Sequence, residues 1–591
     1  MRRLALLALI VAVLGQGSTT DGRGKRDVAA CPPPATSTAE AHRIDRALRS
    51  GRDLWGEQLL ASRSGPTYEG ARGYLKPLLL ARAPRQTRLT DSGVHYVAFG
   101  VPTGVEAARA VALHVADGSQ ILSNHADGRG LTVAVGSTGR ERYGSCLARF
   151  AGPSLLDGYL PVLQTRYLDS AGVRYLQESF AARVPETRSL VSFVRVTADA
   201  RESRAGTAVR FTPSVSGLHA STGRLVRGDS TYLVFSQGGR FDGGLLRYAV
   251  APRTARTVYL AWLIDPGPAD PLTFDRATYE TARRSVIEYW QRRLAEGMRV
   301  EVPEQRVMDA ERNLLVQNLV QTWRYSIGNA YEEFSFPEGV DVAQVMAAQG
   351  FAEVSRAILE TSLTRRPTPY PNWKMGQKLV GSALHYRLFH DESYIRDVTP
   401  ILRGYIAALG RQLDASPRGM LQRERFSSDI PDSVFGLHSQ AVVLQGLRDM
   451  GRVWLQTGDV SLATRCSRLA ARLEVGLRRA VRASQRRLAD GSLFIPMRLL
   501  DREVPYERLT ASRPGSYWNL VAPYALASGF FAPHSPETEG ALKYMLLHGR
   551  DAVSLSYGTS RSSSRIGMKS DPSASLLCDT RTARRLSLIH I

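Results

Sequence analysis

The alternation of hydrophobic and polar positions changes twice along this chain. Between about residues 95 and 265, short apolar runs are separated by Gly, Pro and Asp. They include VHYVAFGV at 94–101, RYLQESFAARV at 174–184, LVSFVRV at 190–196, TYLVFS at 231–236 and TVYLAWLI at 257–264. Several alternate with a period of two, and turn signals recur between them, which is the pattern of an antiparallel β-sandwich. DPGPAD at 265–270 ends that texture. Residues 277–294, carrying Tyr289 and Trp290, then read as a linker helix.

From residue 302 the period lengthens to that of helices. Helical segments are predicted over 304–327, 341–349, 352–363, 376–389, 393–413, 439–456, 460–483, 517–529 and 537–547. Short breaks such as HDES and TGDV join them in pairs, and short connections make antiparallel hairpins. The longer loops, at 328–340, 364–373, 414–438 and 490–516, fall between hairpins and collect polar and aromatic residues. A ring of hairpins with these loops on one face would gather them into one pocket.

The N-terminus, MRRLALLALIVAVLGQG, has two arginines followed by an apolar stretch at 4–14. That stretch is too short to span a bilayer and reads as a secretory signal peptide. VAAC at 28–31 has the form of a lipoprotein processing box, which would anchor the chain through Cys31. The expected plan is a signal peptide and linker at 1–38, a helical segment at 39–79, a β-sandwich at 80–270, a linker helix at 271–300 and a helical domain at 301–550. The tail at 551–591 has no helical period and reads as irregular or artefactual. No later run approaches the length of a transmembrane helix, so the expected location is secreted or periplasmic.

Composition changes this picture little. Of 591 residues, 43% are hydrophobic and 22% charged, which is ordinary for a globular chain. The formal net charge of +22 raises the question of a nucleic-acid partner. Lysine, however, occurs only at positions 25, 76, 374, 378, 543 and 569, so arginine supplies 77 − 6 = 71 of the basic residues. They are spread evenly, without interleaved aromatics or a recognisable module, so no nucleic-acid partner is expected. The four cysteines, Cys31, Cys146, Cys466 and Cys578, show no CxxC or Cys/His spacing. The sequence therefore calls for no metal and no cofactor. In an exported chain Cys31 could pair with Cys146; isolated thiols are the alternative.

Chemistry concentrates in GMLQRERFSSDIPDSVFGLHSQAVVLQGL at 419–447. A charged loop runs into an apolar-periodic helix, with Glu424 between Arg423 and Arg425, and Asp432 and His438 behind. A dense polar loop held by a rigid helix is a common seat of function. The other long loops place aromatics beside hydrogen-bonding groups: Tyr331 with Glu333, Trp373 with Lys374, and Tyr517 with Trp518. Rings stack on apolar sugar faces, while carboxylates, amides and Lys satisfy hydroxyls. Trp373, Tyr517 or Trp518 taken singly reads as helix-start core, while the set, repeated at the long loops, reads as a pocket.

In this order of elements the chain resembles the six-hairpin glycosidases, over about residues 80–550. The resemblance implies an N-terminal antiparallel β-sandwich followed by an (α/α) six-hairpin toroid, here incomplete. In the glucoamylase-like branch a Pro-Arg-Asp-Gly run grips the terminal sugar. The similar place here is Phe336-Pro337-Glu338-Gly339-Val340-Asp341, with Glu338 where the Arg would stand. The branch's catalytic acid is a Glu followed by Arg and then His, similar to Glu424, Arg425 and His438. The resemblance gives Glu424 the acid role and gives sugar contacts to Glu338 and Asp341. In that branch the base lies late in the toroid, beyond residue 550.

The resulting expectation is a secreted glycoside hydrolase acting on an oligosaccharide or glycoconjugate, inverting by the family's pattern. Such chemistry needs one protonated and one ionised carboxyl flanking the bond. Two arginines beside Glu424 would favour its charged form, and the sequence leaves open whether they point at it. A non-catalytic carbohydrate-binding surface protein, a phosphorylase and a polysaccharide lyase on the same toroid are the alternatives. The carbohydrate is the one partner expected.

Overall fold

The computed structural model describes residues 96–102, 111–123, 129–146, 149–183, 190–267, 274–321, 338–364, 370–427, 430–509 and 512–549. The predicted signal peptide, Cys31, the 39–79 segment, Tyr331, Glu333 and the 551–591 tail lie outside the described residues.

The β region begins with β1 (Tyr96–Phe99), β2 (Ala112–Val115), β3 (Gln120–Ser123), β4 (Gly130–Val135) and β5 (Glu141–Arg142). It continues with β6 (Phe150–Leu156), β7 (Leu160–Leu168), β8 (Arg174–Arg183), β9 (Leu190–Asp199), β10 (Thr207–Pro213) and β11 (His219–Ser221). It ends with β12 (Arg224–Arg227), β13 (Ser230–Phe235), β14 (Arg240–Asp242), β15 (Leu245–Val250) and β16 (Ala255–Gly267). One sheet runs β1-β2-β3-β4-β10-β15-β14, with β5 on β4; the other runs β11-β12-β13-β16-β9-β8-β7-β6. Phe99, Val133, Phe211 and Tyr248 of the first sheet share a buried cluster with Leu163, Val194, Leu233 and Trp262 of the second. The two sheets therefore pack face to face.

The second sheet is buried on its other face too. Phe180, Ala182, Val191, Phe193 and Leu263 join a cluster with Tyr279, Val286 and Trp290, which continues into the helices. Two covered faces explain why 179–183 and 190–194 read as nearly continuous apolar runs rather than clean alternation. The partner on that face is α1 (Arg276–Ala295), capped by Asp275, whose carboxylate accepts the Thr278 N–H. Glu178, buried beneath α1, accepts from Arg283 Nε (2.9 Å), Arg195 Nη2 (3.0 Å) and Tyr279 Oη (3.1 Å). Burial alone would raise the Glu178 pKa, but hydrogen bonds from Gln164 and Arg283 and the Arg195 charge hold it below its usual value.

Nine further helices follow among the described residues: α2 (Gln305–Gln321), α3 (Glu338–Ala348), α4 (Ala352–Thr364), α5 (Pro371–Phe389) and α6 (Glu392–Asp414), then α7 (Leu437–Gln456), α8 (Val460–Ser484), α9 (Arg513–Ala527) and α10 (Pro536–Gly549). They answer one for one to the nine predicted segments. The tight breaks carry their own caps: Asp391 accepts the Tyr394 N–H, and Asp459 the Leu462 N–H. The helices differ in kind. α5 is buried nearly all round from Asn372 to Tyr386, and α7 nearly as fully. α6 and α8 bury one stripe each: Tyr394, Val398, Leu402, Ile406, Leu409 and Leu413 on α6, and Leu462, Cys466, Leu469, Leu473 and Leu477 on α8. Hairpins thus pair an inner helix with an amphipathic outer one.

The structure moves some boundaries. α5 starts at Pro371, five residues before the predicted Gly376, so Trp373 and Lys374 are first-turn helical residues and not loop residues. Pro at the first helical position is the local signal for that start. The 414–438 segment is no plain loop. It holds β17 (Glu424–Arg425) and β18 (Ser433–Gly436), and β18 also pairs with β21 (Arg498–Leu499) from the 490–516 loop. A second two-stranded pairing, β19 (Arg486–Arg487) with β20 (Leu493–Phe494), precedes it. No helix among the described residues is long and apolar enough to cross a membrane. Cys146 is disulfide-bonded, and Cys466 is a buried free thiol.

α5 and α7 cross where both lack side chains. A Cβ at Gly446 would lie 2.7 Å from Leu379 Cβ and 2.9 Å from the Gly376 carbonyl oxygen. Gly446→Ala should force the helices apart and lower stability by about 1–3 kcal/mol, despite alanine's better helix propensity. Gly404→Ala on α6, where nothing lies within 4 Å, should instead stabilise by about 0.5–1 kcal/mol. Urea midpoints of the two variants should move in opposite directions.

Candidate functional site

The site is organised around the N-terminal end of α5. Its N-cap residue, Tyr370, provides no side-chain cap. The carboxylate of Glu424 does so from β17: Oε2 accepts the Asn372 N–H at 2.7 Å and Oε1 the Trp373 N–H at 3.1 Å. A helix N-terminus presents unsatisfied donors and a partial positive charge, so a carboxylate there satisfies both.

A polar lattice fixes the segment leading to Glu424. Asn372 Nδ2 donates to the Gln422 carbonyl (3.2 Å), and Gln412 Nε2 donates to Asn372 Oδ1 (2.7 Å). The Gln422 N–H donates to Gln412 Oε1 (2.9 Å), and the Leu421 N–H donates to Gln440 Oε1 (3.1 Å). Three helices, α5, α6 and α7, therefore hold one short strand.

The flanking arginines do not reach Glu424. Side chains alternate along a strand, so residues 423 and 425 face away from 424. Arg423 pairs with Asp501 (2.9 Å), donates to the Ser433 carbonyl and lies over the Phe435 ring at 5.0 Å. Arg425 Nε donates to the Ser427 carbonyl (2.9 Å). Glu424 is 7% exposed. Burial pushes its pKa up to about 7, against the pull of the Asn372 N–H, the Ser439 hydroxyl and the Trp373 N–H.

Aromatic rings surround the same helix end. Trp373 meets His438 (4.8 Å), Tyr524 (5.3 Å) and Tyr370 (5.7 Å) in tilted or edge-on contacts, and His438 also meets Phe426 (5.2 Å). Lys374 Nζ lies 5.2 Å from the Tyr370 ring centre, and burial lowers its pKa. One turn on, burial and then the Lys374 charge lower Lys378 to about 8. From α3, Asp341 accepts Gln377 Nε2 (2.6 Å) and Tyr524 Oη (2.7 Å). Glu424 and Asp341 are thus tied to points on α5 four to five residues apart, ~6–7.5 Å of rise.

The structure brings together Asp341, Trp373, Lys374, Glu424 and His438. Glu338 opens α3, half-buried, one turn before Asp341 on the same helix. Trp518 is not among them as a stacking surface. It is 1% exposed, donates to the Ile495 carbonyl (2.9 Å) and packs against Phe494 and Tyr544 as core. The helix predicted from 517 begins four residues earlier, at Arg513, so residue 518 stands in its second turn and faces the core. Asp432 is exposed: its carboxylate pairs with Arg498 at 3.2 Å, and only its backbone carbonyl, which accepts the Phe426 N–H at 2.9 Å, meets the aromatic cluster. The sequence reading missed Tyr524, Gln377, Asn372 and Lys378. Tyr524 was the most accessible of these, two helical turns after Tyr517 on one face. No group of His, Cys, Asp and Glu among the described residues could hold a metal.

Because the Glu424 pKa rises from 4.5 to about 7 on folding, both states are protonated below 4.5 and its stabilising contribution is fully present there. As pH rises, the unfolded chain loses the proton first, and stability falls until pH passes about 7. The fall should be on the order of 3 kcal/mol by the worth of a pKa unit. Denaturant titrations from pH 4 to 8 should show it, and Glu424→Gln should flatten it. An equal slope in the variant would show that Glu424 is not its source.

No protein-family model matches the chain, and no curated protein does. Among solved structures it is similar to a bacterial glucoamylase complexed with acarbose, at 9% identity over 77% of this chain and 79% of that one, with a TM-score of 0.49. It is also similar to a putative kojibiose phosphorylase from human microbiome, at 7% identity over 54% and 55% of the two chains and a TM-score of 0.29. A GH78 family rhamnosidase of Bacillus sp. GL1 is similar at 11% identity over 70% of this chain and 41% of its own, with a TM-score of 0.30. None of these likenesses bears on individual side chains.

Proposed function

We propose that this chain is a carbohydrate-active enzyme, a secreted glycoside hydrolase in which Glu424 is the general acid. The observation that carries the reading is the condition of that carboxyl. It is buried, clear of both adjacent arginines and pushed up to about 7, so it holds a proton at near-neutral pH. Each carboxyl oxygen has two lone-pair sites, and the α5 N–H bonds use one on each. A site remains for a proton that can pass to a glycosidic oxygen as its C–O bond breaks. An ionised carboxylate on the other side of the bond would activate water in an inverting reaction.

In this proposal Asp341 and Glu338 accept hydroxyls of the bound sugar, Lys374 donates to them, and Trp373 and Tyr524 cover its apolar face. His438 braces Trp373 from behind. Arg425 and Asp432 would stand nearer the rim, and Tyr331 and Glu333 belong to the same proposed set outside the described residues. The pairing of inner and outer helices supports closure of the hairpins into an (α/α) toroid behind this face. The N-terminal signal pattern supports export, and VAAC supports a lipid anchor at Cys31.

One observation favours a second reading. Glu424 gives α5 the cap that Tyr370 lacks, and a capping carboxylate needs no catalytic role. The protein would then bind carbohydrate without cleaving it. The two readings diverge in kinetics. If Glu424 is the acid, Glu424→Gln should lower kcat/KM by about 10²–10⁴-fold on glycosides with poor leaving groups and spare activated aryl glycosides. Wild-type activity on the former should fall as pH rises through about 7, where the acid loses its proton. Equal loss on both substrate types, accompanied by a lower melting temperature, would favour the cap.

A further inference from the structure

The strands β5, β4, β10, β15 and β14 lie side by side in the first sheet. Their register places Arg142 opposite Ala134, Ala134 opposite Arg210, Arg210 opposite Arg247, and Arg247 opposite Arg240. Val209, Phe211, Leu246 and Tyr248 belong to the core between the sheets, and Phe241 packs against it. By alternation Arg210, Arg247 and Arg240 therefore stand together on the outer face. Adjacent strands are ~4.8 Å apart, so three cations sit in one transverse row.

Like charges directly opposite one another repel. No carboxylate among the described residues offsets this. Arg210, Arg240 and Arg247 enter no ion pair among the described residues. Arg210 lies across Gly139, its Nε is buried without an acceptor, and burial followed by the charges of Arg247 and Arg140 lowers its pKa. Asp242, the carboxylate on this face of β14, stands at the next outward position and pairs with none of them. An arginine-rich composition does not explain the row. On the helices Arg356 gathers Glu360, Asp391 and Asp397, and Arg448 and Arg478 share Glu474.

We propose that this row is a docking strip for a linear polysaccharide that carries carboxylate groups. The guanidinium fork matches a carboxylate in a bidentate way, and successive strands present one fork after another to a polymer lying across them. The floor between the cations is small and nearly featureless, made of Ala134, Ala249, Thr132 and Thr212. Among the described residues the strands of the row present no aromatic ring on this face for base stacking, which argues against single-stranded nucleic acid. The choice of polysaccharide rests on the carbohydrate reading above. The strip would hold an acidic glycan on the β half of the protein, separately from the α5 site.

The test is binding of polygalacturonate to the full chain in 0.15 M salt, with dextran and poly(dT) alongside. Wild type should bind polygalacturonate, bind dextran negligibly and bind poly(dT) more weakly. The double variant Arg240→Gln/Arg247→Gln should weaken polygalacturonate binding about tenfold or more and flatten its salt dependence by about two ions. Arg468→Gln/Arg479→Gln, which removes equal charge from the exposed face of α8, should change it less than twofold. Equal loss in both double variants, no binding by wild type, or tighter binding of poly(dT) would each overturn the proposal. Glu424→Gln should bind polygalacturonate like wild type, so failure of the acid assignment and failure of the strip are read separately.

Discussion

A single carboxylate joined to two backbone N–H groups holds the helical half in register. Glu424 reaches across 52 residues of sequence to close the end of α5, which with α7 is one of the two helices buried nearly all round. Every element that contributes to the aromatic cluster touches this helix. α3 reaches it through Asp341 and Gln377, α9 through Tyr524 and Trp373, and α7 through the glycine crossing and His438. The bond has a physical tension. Burial favours the protonated carboxyl, while the helix end favours the charged one, and the outcome near 7 leaves both forms within reach at ordinary pH.

Much of the fold was legible because its signals are local. The antiparallel strands announce themselves by alternation and turns, and the outer helices α6 and α8 by an unambiguous apolar stripe with an Asp cap at the start of each. The inner helices were harder. α5 has no polar face to supply a period, and its start is set by Pro371 together with a cap from a distant strand, so a local reading began it at Gly376. The same five residues carried the main error about the site, because they hold Asn372, Trp373 and Lys374.

The site itself was legible only as a neighbourhood. The order Glu, Arg, His singled out Glu424 and His438, but it left open whether the two neighbouring arginines point at the carboxylate. The structure resolves that conflict by making 424 and 425 a strand, so adjacent charges face opposite ways. Trp518 shows the reverse failure. An aromatic near a loop looks like a sugar platform in sequence, yet a start to α9 only a few residues earlier turns it inward. Tyr524 and Gln377 escaped notice because their role lies in a shared partner, Asp341, which sequence spacing does not reveal.

The second sheet has no solvent face to speak of at its centre, since one side meets the first sheet and the other meets α1 and the helices beyond. Sequence texture divides this protein into two modules, but its apolar interior does not respect that division. A chain cut between β16 and α1 would leave Phe180, Val191, Phe193 and Leu263 bare on one fragment and Tyr279, Val286 and Trp290 bare on the other. Neither piece would be a finished object in water. The two halves are better regarded as one cooperative unit, in which heat or denaturant that loosens the helices also uncovers the back of the sheet.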